Sequence, residues 1–174
     1  MLKTQPFPDS LTEASSLDTA LFREGMSRVA AAVHVITTDG PAGCAGFTAT
    51  AVTPVTDDPA SLLVCVNTSG RSATALLSNG VFCVSTLGMD DTALADTFAG
   101  RKGLDGQDRF AVGEWDRLVT GSPCLATSLV AFDCKLSDSR VVATHHVIIG
   151  EILAIRLGEV RPPLVYHGRL YHSL

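Results

Sequence analysis

The chain never sustains one hydrophobic period for long. Short apolar and β-branched runs succeed one another at 33–38 (VHVITT), 43–52, 61–66 (SLLVCV) and 81–87 (VFCVSTL). Asp39-Gly40-Pro41, Asp57-Asp58-Pro59 and Asn79-Gly80 separate them, and each is a combination that favours a tight turn. Runs this short, bounded by turn chemistry, read as strands. Three more candidate strands follow at 126–136, 141–150 and 151–157, and a closing strand at 164–166 comes after Arg161-Pro162-Pro163. Helical spacing is confined to brief stretches. One is 19–30, where Leu21, Phe22, Met26 and Val29 share a face and Asp18 can cap. The others are 72–78, and 90–98 with Asp90 or Asp91 at its start. Many short strands with little helix between them predict a mainly β, antiparallel barrel with short flanking helices. A doubly wound parallel sheet needs a helix between successive strands, and is the weaker reading.

The stretch 99–123 is long, loop-like and anchored by Phe110 and Trp115, as functional loops are. Residues 1–17 are polar and aperiodic and read as a flexible tail, leaving 18–174 as one domain. Charged residues make up only 18% of the chain, against about 25% in an average soluble protein, which suggests surface buried in an oligomer. The net charge of −5 and the lack of a basic block argue against nucleic acid and against an anionic membrane surface. No apolar run reaches the ~18–20 residues of a membrane span, and the N-terminus lacks a signal-like apolar core. The five cysteines show no metal-ligand spacing and read as reduced thiols of a cytoplasmic protein.

No GxGxxG, Walker loop, HExxH or GxSxG motif occurs. Four local features remain. Gly46-Phe47-Thr48-Ala49-Thr50-Ala51, on a strand, would place Thr48 and Thr50 on one face and Ala49 and Ala51 on the other. Such small residues let a flat ligand approach the backbone, but also suit an ordinary strand. Asn67-Thr68-Ser69-Gly70-Arg71-Ser72, between strand and helix, is either a phosphate cradle or a helix cap with a solvated Arg. In Thr144-His145-His146, neighbouring strand residues face opposite ways, so the two histidines cannot share a metal site, and no metal is expected. The C-terminal run from Pro162 to Tyr171 could border a pocket or a subunit seam, or simply close the sheet.

Taken in order, these segments resemble the short-chain flavin reductase family, the reductase components of two-component flavin-dependent monooxygenases. The resemblance rests on Phe22-Arg23-x-x-Met26, Val35-Ile36-Thr37, Gly46 to Ala51, Asp58-Pro59, Leu63 to Asn67, Phe98-Ala99, Arg109-Phe110, Trp115, His145 with Gly150, and Pro163 to Tyr166. The chain has Ala60 where the family usually has a second Pro, and Ser85 where Asn is frequent. The resemblance implies a split β-barrel homodimer that binds FAD or FMN near the subunit interface and uses NADH or NADPH. It implies that Thr48, Ala49, Thr50 and Ala51 line the isoalloxazine and that Asn67, Ser69, Arg71 and Ser72 hold the ribityl–phosphate end. Phe98, Ala99 and Gly100 would approach the adenylate of FAD. His145 would be the catalytic-site histidine beside flavin and nicotinamide, with Tyr171 on the nicotinamide side. The implied reaction passes a hydride from NAD(P)H to the flavin, which then leaves for a partner monooxygenase. Two competitors are an oxidase with tightly held FMN and a non-catalytic flavin sensor, carrier or interaction module.

Overall fold

The computed structural model describes residues 18–174, so the predicted tail at 1–17 lies outside the described residues. Its elements run α1 Thr19–Ser27, β1 Ala31–Ala32, β2 His34–Thr38, β3 Ala45–Ala49, β4 Val52–Asp57, β5 Ala60–Asn67, α2 Arg71–Asn79, β6 Val81–Thr86, α3 Thr92–Phe98, β7 Trp115–Arg117, β8 Pro123–Leu125, β9 Val130–Val142, β10 His145–Leu157, β11 Leu164–His167 and β12 Leu170–Ser173. The protein is mainly β with a few short helices, as the run pattern predicts. Asp18 caps α1 as expected, its Oδ1 accepting from Ala20 N at 2.9 Å.

Seven strands form one antiparallel sheet in the order β3-β2-β6-β9-β10-β5-β4. Its two edge strands, β3 and β4, are consecutive in the chain and joined only by Thr50 and Ala51. Laid flat, seven strands would hold those edges about 29 Å apart. Three peptide links reach about 11 Å. The sheet therefore curls until its edges approach, and the Thr50–Ala51 corner sits against β5, where Cys65 N donates to Ala51 O at 3.0 Å.

The curl defines two cores. Inside it lie Ile36, Leu62, Val64, Phe82, Val84 and Ile148, closed at one end by Ala73 and Leu76 of α2. Outside β2 lie Val33, Val35, Leu87, Leu94, Phe98, Leu125 and Leu164, covered by α3 and β11. Every residue of β2 is buried because the strand is covered on both faces, which is why its sequence shows no alternation. Ser85, the departure from the family pattern, is fully buried, and its Oγ accepts from Leu125 N at 3.2 Å. Its role here is to hold β8 onto β6.

Three sequence expectations are corrected. The single strand expected over 43–52 is two strands meeting at the corner. The three strands expected over 126–157 are one long hairpin, β9 and β10, turning at Ala143 and Thr144. Ser137 to Arg140 resemble a turn in composition, but they are polar because this end of the hairpin is solvated. Gly150 resembles a strand end, yet it lies within β10. A Cβ there would come within 2.3 Å of the buried Phe82 ring, so the glycine makes room for the core at a register shift. The loop expected over 99–123 also contains a 3-10 turn, Gly106–Ala111, and the strand β7.

His34 shares the inner side of β2 with Ile36 and is 9% exposed, its Nδ1 3.1 Å from Thr86 Oγ1. Burial holds the imidazole neutral, its pKa pushed down from 6.5 to about 4. Below pH 6.5 the unfolded chain takes up a proton at His34 that the folded chain refuses, so stability falls as pH drops from 6.5 toward 4. The full difference is worth about 3 kcal/mol. Denaturant titrations from pH 7 to pH 4.5 should show this decline, and His34→Gln should flatten it. Equal slopes for both chains would remove His34 as its source.

Candidate functional site

The corner where the sheet edges meet opens into a cavity of about 660 Å³. Its wall is the end of β3 and the corner itself: Thr48, Ala49, Thr50 and Ala51. Because β3 stops at Ala49, these four do not alternate along one strand as the sequence suggests. Thr48 is turned toward α3, its Oγ1 donating to Ala95 O at 2.7 Å. The small residues that remain leave backbone and methyl groups facing the cavity.

The far end is built by the β5–α2 connection. Asn67 Oδ1 accepts from Ser69 N at 2.9 Å and Ser69 Oγ at 2.8 Å, which turns the chain into α2. Gly70 precedes the helix and offers no side-chain cap, so the first N–H groups of α2 stay free at the cavity, beside Arg71 and Ser72. Ser72 Oγ donates to Gly46 O at 3.0 Å and ties α2 to β3. Gly46 is the close-approach residue here, since a Cβ would lie 2.7 Å from the Phe98 ring and 2.9 Å from Ile36 O.

Of the residues singled out from sequence, Thr48, Ala49, Thr50, Ala51, Asn67, Arg71, Ser72, Phe98, Ala99 and His145 line this one cavity. Ser69 and Gly100 do not: Ser69 is spent on the Asn67 turn, and Gly100 ends the α3 segment with φ +80°. His145 opens β10 opposite Asn67 of β5 and is exposed, its Nδ1 3.0 Å from Thr144 Oγ1. His146 is half-buried with Nδ1 unpartnered, so the two histidines do part ways. Tyr171 lines a second cavity of about 150 Å³ that shares Thr48, Ala49, Thr50 and Ala99 with the first. There it packs edge-on against Tyr166 at 5.4 Å, under the Arg101 guanidinium at 5.5 Å.

Sequence reading missed Arg109 and Asp105 as cavity residues. Arg109 is 16% exposed at its side chain and fastens the 99–123 segment, donating to Leu104 O (2.8 Å), Gly46 O (3.2 Å) and Phe98 O (3.5 Å). Its signal was present in the Arg109-Phe110 pair, an Arg beside an aromatic anchor. Asp105 sits between Arg109 and Arg71. Among the described residues no group of three or more His, Cys, Asp or Glu could hold a metal ion. Nor is any helix there long and apolar enough to cross a membrane.

The arrangement fits a flat, anionic nucleotide. The cavity lies within the ~300–1,000 Å³ of small-molecule sites. Small side chains flank one end, while two guanidinium groups and the free N–H groups of a helix start lie at the other. The smaller cavity adjoins the flat end. Residues 26–174 match the family described as flavin reductase like domain, and the chain belongs to that family. It is 46% identical over 158 residues to the FMN reductase (NADH) RutF of Variovorax paradoxus, spanning 91% of this chain and 87% of that one. Among solved structures, the Haemophilus somnus protein ycdh superposes with a TM-score of 0.87 at 39% identity, covering 91% of this chain and 100% of that one. BorF, the flavin reductase component of a bacterial two-component tryptophan halogenase, superposes with a TM-score of 0.84 at 30% identity, covering 90% and 98%.

Proposed function

We propose that the chain is an NADH-dependent flavin reductase, with FMN as its acceptor, that releases reduced flavin to a separate monooxygenase. The observation that carries this reading is the cavity at the β3–β4 corner, small-walled at one end and cationic at the other, with a second cavity opening from the same wall. The names of its relatives, FMN reductase (NADH), support the choice of FMN and NADH. Arg101, beside the second cavity, is paired with Asp96 at 2.8 Å and lies over Tyr171.

The two nucleotides supply the hydride chemistry themselves; the protein supplies distance, stacking and charge. Thr48, Ala49, Thr50 and Ala51 hold the isoalloxazine edge through backbone groups. Asn67, Arg71 and Ser72, with the start of α2 and Arg109, hold the ribityl–phosphate end. Phe98 and Ala99 bound the cavity beside them. His145 stands at the open side, where it orients the nicotinamide or offers positive charge near the reduced ring. It is a positioning group, and the chain carries no acid–base pair here because hydride transfer needs none. Tyr171 and Ala99 flank the nicotinamide side.

The curled sheet is a split barrel, and the active form is a homodimer located in the cytoplasm. Exposed apolar groups support dimerisation: Leu21, Phe22 and Met26 on α1, Val29 just after it, and Leu153, Ile155 and Leu157 on β10. The test is NADH and NADPH oxidation with FMN, FAD or no added flavin. Turnover that saturates with FMN and prefers NADH is expected. No turnover in any combination would overturn the reductase reading.

A further inference from the structure

We propose that Asp105 is an internal competitor for the flavin phosphate, set to keep flavin binding reversible; this rests on the reading of the site above. Among the described residues, Asp105 is the one carboxylate lining the cavity. Its Oδ1 lies 2.8 Å from Arg71 Nη2 and 4.0 Å from Arg109 Nη2, so it occupies the charge position that a phosphate would take between the two cations. The two arginines are not equally dependent on it. Arg109 is held by three backbone carbonyls and stays in place without Asp105. Arg71 is 85% exposed at its side chain, and Asp105 is its side-chain partner among the described residues.

A phosphate entering this end must take Arg71 from the carboxylate. The ion pair is exposed on both sides, so breaking it costs little. After displacement the carboxylate remains on the same loop, a few ångströms from a phosphate dianion, and repels it. Both effects weaken binding of a phosphorylated flavin and spare a flavin without the phosphate. A reductase that hands its flavin on gains from this, because a less tightly held phosphate leaves the flavin free to depart.

The test uses the full chain and its Asp105→Asn variant, with FMN and riboflavin as probes, each titrated by flavin fluorescence. The variant is expected to bind FMN about three- to tenfold more tightly. Riboflavin affinity should move by less than about twofold, and the FMN gain should shrink as salt rises. Because Asp105 is exposed, the substitution leaves the core intact. An unchanged ratio of FMN to riboflavin affinity, in a wild-type chain that binds both, would overturn this proposal alone. A wild-type chain that binds neither flavin would overturn the reading of the site, and this proposal with it.

Discussion

Phe98→Ala is expected to lower the unfolding free energy by about 3–5 kcal/mol, the usual cost of emptying a buried aromatic site. Phe98 is 1% exposed and ends α3. Its ring meets Phe110 at 5.1 Å, edge-on, and Trp115 at 5.4 Å. Phe110 and Trp115 in turn meet at 5.0 Å, so the three rings form a triangle. A third side of the Phe98 ring is filled by Gly46, which has no side chain that could move. No neighbour on β3 can move in, so the cavity should stay largely open. The loss is felt beyond stability, since Phe98 is the hub that holds the 99–123 segment against β3, and Phe98 O receives Arg109. Flavin affinity should fall together with stability. Denaturant titration checks the first part; a loss below about 1 kcal/mol would show that the triangle does not carry this core. Phe98→Leu, which refills much of the volume, should recover more than half of the loss.

The same residue shows what was legible in the sequence. Phe110 and Trp115 could be recognised as anchors because aromatic groups in a polar stretch must be buried somewhere. Their partner across the core could not, because Phe98 lies in a helix whose pattern says only that one face is covered. The mainly β class follows from local signals, namely short runs and turn residues. The hairpin of β9 and β10 does not. Its solvated end is polar for lack of a core beneath it, and polarity of that kind reads as a turn when only neighbours in sequence are visible. Gly150 misleads in the same way: what it serves is Phe82, more than sixty residues earlier. The run of short strands predicts a barrel, but not the corner at which the sheet curls; that follows only once β3 and β4 are known to be opposite edges.

The candidate site divides along similar lines. Small residues at 48–51 and the Asn67 to Ser72 turn stand out because flat ligands and phosphates need them. Most of them do line one cavity. Asp105 escaped notice because a single Asp in a polar loop carries no signal until both arginines are seen beside it. Ser69 offers a hydroxyl at the right place in the sequence, yet that hydroxyl serves the turn itself. A hydroxyl in sequence does not reveal whether the backbone has already claimed it.

Thr50→Trp is expected to reduce kcat/KM for NADH about a hundredfold while leaving stability within about 0.5 kcal/mol of wild type. Thr50 lies in the corner between β3 and β4, exposed, and borders both cavities. Its structural contribution is backbone, with Thr50 O accepting from Val52 N at 3.0 Å, and any residue except one that alters the corner keeps it. An indole there adds bulk at the one wall that the two cavities share. If flavin and nicotinamide stack across that wall, their separation increases, and a small misplacement of reacting atoms is enough for a hundredfold loss. A residue that only shaped the surface would change neither parameter, and one that only held the fold would change both. Steady-state kinetics beside a denaturant titration separate these cases. Near-normal turnover in Thr50→Trp would place the reacting rings elsewhere. Thr50→Ser, which keeps the backbone and adds no bulk, should retain nearly full turnover, so that a loss confined to the tryptophan variant is assigned to the space between the two cavities.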